Sequence, residues 1–130
     1  MRTLIAVVAI VLLLVGGSLW LLERSENPRF SFATFSEMEA AGLIAAGWLP
    51  EFLPRSAKQI EETHNIDTNE VSATFTYDIG DVQSVEAACS KVSQSDRGAE
   101  YTCRTRHDQV ATLLLGSDGI AYYKSSPHGA

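Results

Sequence analysis

Residues 3–22 carry no charged side chain over 20 consecutive positions, 16 of them apolar. A helix of that length is about 30 Å long, the thickness of a bilayer's hydrocarbon core. A cleaved leader reads differently, with an apolar stretch of about 7–15 residues that ends on a small-x-small site. Here Gly16-Gly17-Ser18 runs straight on into Leu19-Trp20-Leu21-Leu22, and no cysteine follows to accept a lipid. The expectation is an uncleaved anchor at residues 1–22 that enters the membrane through residues 3–22. Arg2 and the α-amino group precede it, whereas Glu23, Arg24, Glu26 and Arg29 cancel after it. The positive-inside bias therefore predicts a cytoplasmic N-terminus and an exported remainder, and Trp20 near the far end suits the interfacial aromatic belt.

The 108 residues from Glu23 onward keep 42 apolar side chains, enough for the core of one domain of about 100 residues. They carry nine basic and 16 acidic side chains, a net charge of −7. Their densest basic pair is Arg104 and Arg106, so phosphate backbones are repelled and nucleic acid is excluded as a partner. Cys89 and Cys103 are the only cysteines, 14 positions apart. That spacing is wrong for a redox Cys-x-x-Cys pair and supplies half of a structural zinc site, so a disulfide is expected in an exported domain.

Along the chain, residues 23–35 read as a polar tether, in which Pro28 disfavours helix at Asn27. Ser36-Glu37-Met38-Glu39 has the pattern of a capping box and predicts a short helix ending near Gly47, with Pro50 forbidding its extension. Val71, Ala73, Phe75 and Tyr77 alternate with polar residues as a half-buried strand does, and residues 60–65 supply an antiparallel partner. Val82, Val85, Cys89 and Val92 recur at helical spacing after Gly80-Asp81, which puts the first cysteine on a helix. Tyr101, Cys103 and Thr105 share one face of a strand, and residues 109–115 and 120–124 form a hairpin about the Gly116-Ser117-Asp118-Gly119 turn. The reading is an α+β domain over residues 36–126: an antiparallel sheet of about five strands with helices on one face, the bridge stapling helix to sheet, and residues 127–130 as a tail.

His64, Asp67, Asn69 and Glu70 form the densest polar cluster. An imidazole with two carboxylates can hold a metal or move a proton. The structural alternative is a hairpin loop in which Asp67 and Asn69 satisfy turn backbone groups. Trp48, Leu49, Phe52 and Leu53 form an apolar run that two prolines hold out of regular structure. It either wraps over the sheet as core or leaves Trp48 and Phe52 exposed as a docking patch. His107-Asp108 sits at a strand end and His128 in the tail. No nucleophile elbow, phosphate loop, metal-ligand spacing or cofactor motif occurs, so no catalytic residue, metal or cofactor is assigned.

Taken together, Ala41-Gly42-Leu43, Gly47-Trp48-Leu49-Pro50, Leu53-Pro54-Arg55-Ser56-Ala57, Ile60, His64 and Asp67-Thr68-Asn69 resemble an uncharacterised family of small, membrane-anchored bacterial proteins. The resemblance spans residues 32–75 and the plan of one anchor followed by one domain. It implies a bacterium, hence an inner membrane with the domain on its outer side. It brings no reaction and no ligand.

The functional expectation is a single-pass inner-membrane protein whose exported domain binds another envelope protein, since anchoring concentrates the domain near neighbours in the same membrane. Two rivals stand beside it. One is a small hydrolase or metal-dependent enzyme built on His64, Asp67 and Glu70, which requires a pocket joining the three. The other is an acidic inhibitor or immunity-type protein, which requires the negative charge to gather on one face.

Overall fold

The computed structural model describes residues 1–127, with the side chains at positions 24–26 outside the description; the expected tail from position 128 on, His128 included, also lies outside the described residues. The chain runs through α1 (Arg2–Glu26), β1 (Arg29–Thr34), α2 (Phe35–Ala40), β2 (Lys58–His64), β3 (Val71–Thr76), α3 (Gln83–Ala88), β4 (Cys89–Ser95), β5 (Gly98–Arg104), β6 (Val110–Gly116) and β7 (Ile120–Ser126). The α+β class expected from the sequence is what the structure has. Helix α1 is long and apolar enough over Arg2–Glu23 to cross a membrane, and none of that segment is buried against the rest of the chain.

The strands form one antiparallel sheet in the order β1-β2-β3-β7-β6-β5-β4. Seven strands replace the expected five, and the two additions are the two edges. Helix α1 and β1 divide between them most of what the sequence suggested was tether: α1 runs on to Glu26, and only Asn27 and Pro28 separate it from Arg29. β4 takes over the second half of the expected long helix. α3 stops at Ala88, Cys89 is already extended, and Val92 is exposed at the sheet edge.

One face of the sheet is buried. Ile60, Val71, Ala73, Phe75, Ala121, Tyr123, Ala111, Leu113, Leu115, Tyr101 and Cys103 point into it, and Met38, Leu43, Leu49, Phe52, Leu53 and Val85 close over them. Each fully buried large side chain contributes about 1.5–3 kcal/mol. The covering layer is mostly irregular chain between α2 and β2. The N-cap of α2 lies two residues before the expected Ser36: Thr34 Oγ1 accepts from the Glu37 N–H at 3.2 Å, and Glu37 Oε2 accepts from the Ala33 N–H at 2.9 Å. This earlier Thr/Glu pair caps the helix in a variant of the capping box, the carboxylate reaching the N–H of Ala33 rather than that of the cap residue itself. After Ala40 the chain turns through Gly42 and Gly47, both at positive φ, and brings Trp48 and Leu49 back onto the Leu43 carbonyl.

Cys89 and Cys103 are bridged, and they face each other directly across the β4–β5 ladder with Cα atoms 4.4 Å apart. That separation suits a non-hydrogen-bonded antiparallel pair. The bridge therefore joins two neighbouring strands rather than helix to sheet, because α3 ends one residue before the cysteine.

Candidate functional site

Period-two alternation along β2 places Ile60, Glu62 and His64 on its covered face, so a carboxylate and an imidazole enter the core side by side. Both are buried, Glu62 completely. Glu62 Oε1 lies 2.8 Å from His64 Nδ1, and Glu62 Oε2 has no protein partner. The Trp48 ring lies flat on the imidazole with centroids 3.8 Å apart and planes 11° apart. Phe30, from the neighbouring β1, is stacked at 5.7 Å and 16°. Burial pushes the Glu62 carboxyl above its ordinary range, and the hydrogen bond and charge of His64 draw it part of the way back. The arrangement can share a proton between carboxylate and ring. It also fixes the ring's orientation under Trp48, where little of the ring meets solvent.

The sequence candidates separate into two groups. Trp48 and His64 are brought into contact, with Trp48 half-buried and Phe52 buried in the core alongside Leu49 and Leu53. Asp67, Asn69 and Glu70 stay exposed in the β2–β3 turn while His64 is buried on the covered face, and of the three only Asn69 borders a hollow shared with Trp48 and His107. The turn is organised by neighbours that the sequence reading did not single out. Asn65 Oδ1 accepts the N–H groups of Asp67 and Thr68 at 3.0 and 2.8 Å, and Thr68 Oγ1 accepts that of Glu70 at 3.4 Å. Asn69 serves through its backbone, at φ 55°. Among the described residues, no group of three or more His, Cys, Asp or Glu side chains is placed to hold a metal.

Sequence reasoning missed Glu62, although a signal was present: two residues before His64 and two after Ile60, it shares their face in any strand reading. It also missed the uncovered face. There Leu114 and Tyr122 are exposed at 43% and 53%. They border a hollow of about 830 Å³ whose wall includes Arg29, Glu61, Thr74, Thr112 and Lys124. The charge on this wall is of mixed sign, so the acidic excess does not gather here.

Residues 26–76, about two fifths of the chain, match the family model described as the YbbD head domain. The matched segment runs from the end of α1 to the end of β3 and contains Phe30, Trp48, Glu62 and His64. The chain is similar to that domain over these first three of its seven strands. No curated protein and no solved structure matches the chain.

Proposed function

We propose that this chain is a single-pass bacterial inner-membrane protein, N-terminus in the cytoplasm, whose exported domain binds another envelope protein through the uncovered face of its sheet. The observation that carries this reading is the one-sided sheet: helices and loops bury one face, while the other presents Leu114 and Tyr122 beside a hollow, with Ile120 exposed further along the same strand as Tyr122. Exposed apolar side chains grouped at a concavity with a polar rim are the usual makings of a protein contact. The apolar helix, the disulfide and the resemblance to membrane-anchored bacterial proteins support the location.

A photo-crosslinking residue placed at Tyr122 in the intact anchored protein tests it in cells. The expected product is one discrete heterologous adduct, absent when the same residue replaces Glu51 on the covered side and lost with Leu114→Glu. Equal, diffuse labelling from both positions would remove the uncovered face as the binding surface. The enzyme reading has less support, because the single histidine of the polar cluster is turned into the core away from Asp67 and Glu70.

A further inference from the structure

The connection between anchor and domain is short and clamped. Two residues, Asn27 and Pro28, join the end of α1 to the start of β1, a span of at most about 7 Å. Both are tied to the end of β2: Asn65 Nδ2 donates to Asn27 Oδ1 at 2.8 Å, and the His64 N–H donates to the Pro28 carbonyl at 3.4 Å. The tether is therefore held against the end of β2, with little chain between it and the helix.

Antiparallel topology decides which part of the domain is held there. The start of β1 shares its end of the sheet with the end of β2, the start of β3, the end of β5 and the start of β6. The turns at 65–70 and 105–109 both close this end. Positions 23–26 form about one helical turn beyond the apolar run, roughly 6 Å, which matches a headgroup layer of about 5–8 Å. Asn27, and with it the Asn65–Ile66 turn, then sits at the outer boundary of the headgroups. Ile66 is 53% exposed in that turn and Phe30 is 41% exposed on the adjoining strand. Charge does not oppose contact here. The part of the chain after α1 is strongly acidic as a whole, but at this end the signs are mixed, Arg29, Arg104 and Arg106 standing among Glu51, Asp67, Glu70 and Asp108.

From this we infer that the β2–β3 turn is a lipid-docking surface: Ile66 inserts into the headgroup layer of the bilayer that α1 crosses and sets the domain upright on it. This rests on the membrane-anchor reading above. A turn that presents an aliphatic side chain at the interface gains by burying it among headgroups and acyl ends, and the covalent anchor supplies the proximity.

Spin labels on single introduced cysteines at Leu12, Ile66 and Ile79 test it, in the full-length protein reconstituted into phosphatidylethanolamine/phosphatidylglycerol vesicles. Both native cysteines are bonded to each other, so each label goes to the introduced thiol. Accessibility is read with oxygen, which partitions into lipid, and with a water-soluble nickel chelate. Ile79 is 59% exposed at the opposite end of the sheet and serves as the aqueous reference. The expected oxygen-to-nickel ratio at 66 is at least about threefold that at 79, and highest at 12. A label at 12 in lipid with equal ratios at 66 and 79 would overturn the docking turn and leave the anchor standing. A water-accessible label at 12 would overturn both. A label at 66 shielded from both reagents, with spin–spin broadening, would show a second copy covering the turn and would also overturn the proposal.

Discussion

Glu62 and His64 stand two residues apart on the same face of β2, with Oε1 2.8 Å from Nδ1 and the second carboxylate oxygen without a protein partner. Burial raises the Glu62 carboxyl, so the folded protein holds that proton more tightly than the unfolded chain does. The stabilisation linked to it is complete below the ordinary carboxylate range and is lost as pH rises through the folded value. Glu62→Gln keeps an acceptor for the ring N–H but cannot ionise. Its stability relative to the native chain, measured by urea unfolding, should improve as pH rises above the ordinary carboxylate range toward the raised folded value. A difference that does not change with pH would mean that this proton is not coupled to folding.

Trp48 covers the imidazole, so removing it opens the pair to water as well as deleting aromatic contact. Trp48→Ala should cost about 1–3 kcal/mol, less than a fully buried tryptophan because part of the residue stays exposed. Trp48→Phe should recover at least half of that in thermal unfolding, since a flat ring can still lie on His64.

Two glycines of the same connection separate backbone strain from crowding. Gly42 and Gly47 have φ of 86° and 82°, but a Cβ at Gly42 meets open space while one at Gly47 runs into the His107 ring. Gly42→Ala should cost about 1 kcal/mol, from the left-handed backbone alone. Gly47→Ala should cost about 2–3 kcal/mol, and the added His107→Ala change should restore part of it. Equal losses at the two positions would show that His107 can move aside freely.

The Cys89–Cys103 bridge closes a loop of about 15 residues, which on the chain-entropy model stabilises by about 3 kcal/mol. The paired change to serine should lower the unfolding midpoint. Because the bridge joins an edge strand to its neighbour, hydrogen exchange in the variant should quicken first in β4, with β3 and β7 protected longest. Simultaneous loss of protection across all strands would indicate that the edge and the centre open as one unit.

The sequence made the centre of the sheet legible and hid its borders. β3 and the β6–β7 hairpin alternate strictly, since one face of each is buried and the other is not. β4, Cys-Ser-Lys-Val-Ser-Gln-Ser, has one half-buried residue followed by six exposed ones, so no period survives in it. β1 is similar, with its apolar Phe30 and Phe32 only partly covered. Edge strands bury little, and little burial leaves little pattern. At the site, the cluster of polar types around position 67 drew attention because the residues are adjacent in sequence. The pairing that forms runs instead along a strand face, at a spacing of two, and its carboxylate comes from the opposite side of the histidine.

The final strand of the chain lies in the middle of the sheet, between β3 and β6. Until β7 has paired with both neighbours, the inner borders of β1–β2–β3 and of β4–β5–β6 stay open, two part-sheets with raw, hydrogen-bond-hungry margins. One strand thus seals the two parts together, and a proteolytic clip within residues 120–126 would unseat the centre of the sheet.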